Sequence, residues 1–434
     1  MIRYLTVGIV LILIAGCFHI ENRYSGMAPG PWRATIDITP LGEAGIVTEV
    51  GTKTYNLDDT QKNQLPFTFD LIYDNETDFH IEIINGEERI KVTDIQIGRN
   101  RENNKDTFLI NFPIYESYIK GYYNERIIEG EWVVTTKRNY ALPFVAKFGK
   151  NHRFTQLKQK PVMNLTGNWE VQFEDKDGAY AGVGEFKQEG NELRGTFRTE
   201  TGDYRFLEGT VQNDKVYLSV FDGAHAFLFE AKILADKSMI GTFRAGRHYE
   251  ASWTATQNTE ATLADPNSLT YLKKGYDKLD FSFENINGET ISLTDATYNG
   301  KAKLIQIFGT WCPNCKDESE FLVDYFKQNP TSDIAVIGLA FEKHRDIEKS
   351  KAALRRYKER LGMDYELLVA GYSDKKEAAT ALPMLNHILA YPTLIFLDKE
   401  NKVKKIHTGF AGPATSKYKD FKVEFEKNIR DLIK

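Results

Sequence analysis

Two of the chain's three cysteines stand two residues apart in the stretch GTWCPNCKDE, as Cys312 and Cys315, with Trp311 directly before the first. A pair at this spacing can cycle between dithiol and disulfide, supply half of a zinc site, or mark an incidental turn. Zinc needs two further ligands, and His344, His387 and His407 are scattered along the chain. No metal and no cofactor is therefore expected. A bridge closing so small a loop constrains little of the unfolded chain, so scaffolding is a weak use for it. Redox chemistry is the reading that remains.

The elements flanking the pair must position it. AKLIQIFG (302–309) is a continuous apolar run suited to a buried parallel strand. KDESEFLVDYFKQ (316–328) carries a helical stripe of Phe321, Leu322, Tyr325 and Phe326. The pair thus falls where a strand hands over to a helix, and a helix N-terminus favours thiolate over thiol. In such sites the first cysteine is the exposed, attacking one and the second resolves the mixed disulfide. Cys312 is then the nucleophile and Cys315 the resolving thiol, with a Cys312–Cys315 disulfide as the oxidised state.

The same alternation runs to the C-terminus. IAVIGLAFE (334–342) and YELLVAG (365–371) read as strands, and EKSKAALRRYKERLG (348–362) and KKEAATALPMLNHI (375–388) as helices. TLIFLDKENKVKKIHTG (393–409) reads as a hairpin and KDFKVEFEKNIRDLIK (419–434) as a closing helix. This pattern predicts an α/β domain over 277–434, a mixed or parallel sheet covered on both faces. Lys316, Asp317 and the basic positions Arg355, Arg356 and Arg360 read as solvated faces.

Residues 277–434 resemble the thioredoxin-fold domains of the TlpA/ResA-like thiol–disulfide oxidoreductases. Trp311-Cys312-Pro313-Asn314-Cys315 matches that family's Trp-Cys-x-x-Cys, and Tyr391-Pro392-Thr393 matches its cis-proline loop. The resemblance implies that Pro392 faces the disulfide in a loop able to pair with an incoming peptide strand. It implies a covering role for Trp311 and proton transfer by Glu318, which the spacing of three places on Cys315's side of the helix. Thioredoxins carry a buried Asp six residues before the first cysteine; here it is Gln306, which cannot titrate. Proton handling then falls to Glu318 or to water. The implied partners are protein disulfide or dithiol clients and a membrane electron donor that re-reduces the pair.

Upstream the grammar differs. From 28 to 258, short alternating runs such as FTFDLIY (67–73) and KVYLSVFDG (215–223) alternate with Gly, Asn and Asp turns, which predicts an all-β region. Trp32 and Trp132 bracket one part, Trp169 and Trp253 another, and each second Trp follows a strand glycine, Gly121 or Gly241, by 11 or 12 residues. This suggests two barrel or sandwich modules, 28–158 and 159–258, with a single large β-sandwich as the alternative. The stretch 259–276 loses the alternation, contains Pro266 and reads as a linker.

The N-terminus has a positive start at Arg3, an apolar run from Val7 to Ile14 and small residues before Cys17. That is the layout of a secretory signal over 1–16, and it resembles the lipobox of bacterial lipoproteins. The resemblance implies cleavage before Cys17, acylation of that cysteine, a tether over 17–27 and attachment to a lipid bilayer. The cell envelope, on the periplasmic side or the cell surface, is the expected location. A net charge of −5 and no basic patch argue against nucleic acid as a partner.

Three functions remain in view. The first is a thiol–disulfide oxidoreductase. The second is a thioredoxin-fold peroxidase, although IQIFGTWC lacks the Pro of the peroxiredoxin Pro-x-x-x-Thr-x-x-Cys context. The third is a binding lipoprotein with an accessory redox domain.

Overall fold

The computed structural model describes residues 26–40, 62–75 and 78–434. The signal segment, Cys17 and nearly all of the tether lie outside them.

The first β region alternates inward and outward side chains, and in its opening strand, Gly30–Asp37, Trp32, Ala34 and Ile36 point into the core. Gln64–Tyr73, Phe79–Asn85 and Glu88–Val92 meander away from one side of that strand. Ala141–Phe148, Ile127–Val134, Ser117–Tyr123, Lys105–Phe112 and Ile95–Asn100 meander away from the other. Among the described residues the result is one nine-stranded antiparallel sheet whose two edge strands do not pair, a half-barrel.

The second β region closes. Gly167–Asp175, Gly178–Glu189, Glu192–Thr199, Leu207–Gln212, Lys215–Phe221, Ala226–Ile233, Met239–Ala245 and Tyr249–Gln257 each pair antiparallel with the next. The last returns to the first, with Trp253 opposite Phe173, so the eight form a barrel without edges. Its interior is packed with rings: Phe197 and Phe243 flank Phe229 at centroid distances of 4.6 and 4.3 Å.

The two regions share a local opening. Gly30 and Gly167 take φ of +113° and +121°, a conformation favouring glycine. Two residues on, the indole nitrogens of Trp32 and Trp169 each donate to the carbonyl four residues upstream, Ala28 and Leu165, at 2.9 Å. The closing tryptophans do not correspond. Trp253 lies on the last strand opposite Gly241, whereas Trp132 lies on the penultimate strand opposite Ile119. Near-equal spacing from a glycine does not specify a strand when turn lengths differ.

Nor are the regions separate bodies. Phe221, Ala226 and Leu228 leave the barrel wall and join the half-barrel's core. Phe221 stacks on Phe67 at 4.5 Å and meets Trp132 edge-on at 5.2 Å. Buried Arg153 bonds Asn85 and Ile84 of the half-barrel and Ser219 and Glu208 of the barrel.

The C-terminal region is a thioredoxin fold. Its central strand Ala302–Phe308 is buried throughout and pairs parallel with Ile334–Glu342 and antiparallel with Thr393–Leu397. Helices Pro313–Gln328, Ile347–Leu361 and Tyr418–Leu432 pack on its two faces. The helix read over 375–388 stops at Ala381, because Pro383 has no N–H to offer and restricts Leu382 before it. The 259–276 stretch is docked on this domain: a single turn, Pro266–Leu269, is capped by Asp265, and the Lys273 amide donates to the Met384 carbonyl at 2.8 Å.

Candidate active site

The central strand runs into Gly309, Thr310 and Trp311, and the next helix begins at Pro313. Proline suits a first helical position, where its missing N–H has no partner to lose. That leaves Cys312 as the N-cap, with its side chain facing the free amides of the first turn. The Cys315 amide donates to Cys312 Sγ at 3.3 Å, and Sγ itself donates to the Tyr391 carbonyl at 3.4 Å. The Tyr391–Pro392 peptide is cis, and the Pro392 carbonyl accepts from the Gly409 amide at 2.9 Å. Both thiols are free, and Cys315 is completely buried. Burial pushes its thiol well up, with nearby Cys312 and Glu318 adding to the rise.

Trp311 folds back over Gly309, where a Cβ would stand 2.2 Å from the indole nitrogen, so only glycine fits. That nitrogen donates to the Phe341 carbonyl at 2.9 Å, the ring meets Tyr391 at 5.5 Å, and Lys343 Nζ lies 3.9 Å above it. Thr310 is held by its amide and hydroxyl to the buried Glu342 carboxylate, at 2.9 and 2.8 Å. Neither Glu342 nor Lys343 was singled out from the sequence. An acidic residue closing the apolar run IAVIGLAFE was the available signal.

Glu318 is not a solvated helix carboxylate. It is fully buried, and its Oε2 accepts from Gln306 Nε2 at 2.9 Å. Gln306 Oε1 accepts from Ser319 Oγ at 3.1 Å, and Ser319 Oγ in turn accepts from the Tyr357 hydroxyl at 3.0 Å. Glu318 Oε1 has no hydrogen-bond partner among the described residues. Burial pushes this carboxyl up to about 8, against the Gln306 bond that lowers it. It therefore holds a proton at neutral pH, and a carboxyl titrating this close to neutrality beside Cys315 is suited to general acid–base transfer.

A stability consequence follows with a definite sign. The folded chain retains the Glu318 proton from about pH 4.5, where the unfolded chain releases it, up to about pH 8. Stability therefore falls across that window as pH rises. We expect Glu318→Gln to flatten the fall, measured by chemical denaturation at pH 5, 6.5 and 8. The same variant should slow the thiol exchange by about 10²-fold near pH 7, the usual scale of a lost proton-transfer group.

Two readings of the flanks are corrected. Asp317 is not solvated: it pairs with Arg205 of the barrel, whose guanidinium also holds Glu88 at 2.6 Å and lies 3.6 Å from Asp222. The basic helix is not a bare solvent face either. Arg356 pairs with Glu116 at 2.6 Å and Arg360 with Asp94 at 3.0 Å, both in the half-barrel. The structure also buries Cys312 to 8% exposure, where an exposed nucleophile was expected. Pro313 and Asn314 are buried with it, the latter by donating to the Asp203 carbonyl at 3.0 Å. A sequence window cannot register partners more than a hundred residues away.

The model of the AhpC/TSA family matches residues 275–406. The chain is 27% identical over 138 residues to the thioredoxin-like protein YneN of Bacillus subtilis (strain 168), which covers 32% of this chain and 73% of that one. It is 24% identical over 138 residues to the thiol-disulfide oxidoreductase ResA of the same organism, covering 32% and 69%. Among solved structures, a thiol:disulfide interchange protein of the thioredoxin family from Chlorobium tepidum TLS matches at 20% identity. That match covers 37% of this chain and 99% of the other, with a TM-score of 0.28. The family model falls on the region that carries the dithiol and the cis-proline loop, and the C-terminal domain of this chain is a TlpA/ResA-like oxidoreductase of the thioredoxin superfamily.

Proposed function

We propose that the chain is a membrane-anchored, extracytoplasmic oxidoreductase that reduces client disulfides through Cys312 and Cys315. One observation carries the reading: Cys312 Sγ caps the helix within 3.3 Å of the Cys315 amide and faces the Tyr391–Pro392 loop at 3.4 Å. The Cys312 thiolate attacks one client sulfur, forming a mixed disulfide and expelling the other client sulfur as thiolate. Cys315 loses its proton, to Glu318 in its ionised form or to water, and attacks Cys312 Sγ. The second client thiolate leaves, and two electrons have passed from the pair to the client. A membrane dithiol donor then restores Cys312 and Cys315 by the same exchange in reverse. Trp311 shields the sulfurs and the Pro392 loop aligns the client. The anchor rests on the lipobox-like residues ending at Cys17.

The test is the reduction potential of the Cys312–Cys315 couple in glutathione or dithiothreitol buffers. A value near or below roughly −270 mV supports a reductase, one near roughly −120 mV an oxidant, and no reversible couple ends the oxidoreductase reading. The AhpC/TSA match supports a peroxidase as the second reading, and consumption of hydrogen peroxide without a protein disulfide would select it. For the anchor, labelled fatty acid should enter the native chain and not Cys17→Ala.

A further inference from the structure

The β regions do more than precede the redox domain. The barrel's turn Thr199–Arg205 lies against the residues that surround the dithiol. Gly202, at φ +133°, comes so near Asn314 that a Cβ would stand 2.5 Å from its Nδ2. Gly409, beside the Pro392 loop, meets the same turn, with Glu200 O only 3.0 Å from where its Cβ would be. Asp203 Oδ2 accepts from the Gly412 amide at 2.7 Å, and Arg205 clasps Asp317, two residues beyond Cys315. On the other side the half-barrel's 3₁₀ turn Pro113–Tyr115 packs against the redox domain, Ile114 touching its core. Glu116, just past that turn, holds both His344 and Arg356, at 2.5 and 2.6 Å. Arg205 is itself 6% exposed and joins all three regions through Glu88, Asp222 and Asp317.

Forming a mixed disulfide brings a client sulfur to about 2.05 Å from Cys312 Sγ. The client backbone must therefore pass through space that the turn at Gly202–Asp203 already borders. A low-mass disulfide, or one in an extended segment, presents little bulk behind its sulfur. A folded protein does not.

We propose that the Thr199–Arg205 turn is a client-selecting wall of the dithiol site, admitting low-mass or extended disulfides and refusing those held in folded proteins. This rests on the oxidoreductase reading above and deepens it. Arg205 is a positioning residue: it holds the wall and does not touch the reacting sulfurs.

The test compares one warhead at two sizes on the reduced full chain. Rates of Cys312 modification by N-ethylmaleimide and by a maleimide on 5-kDa polyethylene glycol are read by peptide mass, with glutathione as the unhindered thiol. The ratio of small to large rates should exceed that of glutathione by at least tenfold in the native chain. It should fall at least threefold in Arg205→Ala. Glu185→Ala provides a second opening at a distance from the guanidinium cluster, since Glu185 accepts from the Ser416 amide and hydroxyl at 2.8 and 2.9 Å. It carries the test if the Arg205 variant does not fold by near-ultraviolet circular dichroism. A native ratio equal to glutathione's, or a high ratio unchanged in every folded variant, overturns the proposal. Failure of the redox reading shows separately, as loss of the reversible couple with the size ratio intact.

Discussion

Cys315→Ser stops turnover and leaves Cys312 covalently joined to its client, whereas Cys312→Ser stops turnover and traps nothing. Each loss should be on the order of 10³-fold or more, since residues that act as one unit fail together. The asymmetry comes from geometry. Cys312 caps the helix next to the Tyr391 carbonyl, where a client sulfur can approach. Cys315 is wholly buried behind it and reaches the mixed disulfide from inside. Non-reducing electrophoresis of the two variants after incubation with a disulfide peptide reads the result. Equal trapping by both, or by neither, would contradict the assigned order of attack.

Phe221→Ala is expected to cost about 3–5 kcal/mol, the usual range for deleting a buried aromatic. Its ring has no exposure and contacts Phe67, Phe112 and Trp132 of the half-barrel, although its backbone belongs to the barrel. The loss should therefore appear in both β regions at once. Denaturant unfolding followed by tryptophan fluorescence can report it, because Trp32 and Trp132 mark one region and Trp169 and Trp253 the other. If the half-barrel tryptophans kept their native transition, the shared core would not be the link described.

What could be read from the chain is what short windows encode. The dithiol's place between an apolar strand and an amphipathic helix follows from the order of residues 302–328, and the thioredoxin fold follows from the strand and helix periods around it. Gly30 with Trp32 and Gly167 with Trp169 announce the start of each β region for the same reason. The helix expected over 375–388 failed at a local rule that was present in the sequence, Pro383.

Alternation of side chains, in contrast, says that a strand has a buried face but not which strands pair or whether a sheet closes. The sequence by itself determined the chemistry of the pair, the kind of fold that carries it and the β character of what precedes it. Only the tertiary structure decided that one sheet closes and the other, over the described residues, stays open, that Glu318 is buried beside Gln306, and that Asp317 faces Arg205. The reason is separation along the chain: Asp317 and Arg205 lie 112 residues apart and Glu116 and Arg356 lie 240 apart. Such partners meet when the domains pack, and burial then sets the protonation of Glu318 and the exposure of Cys312.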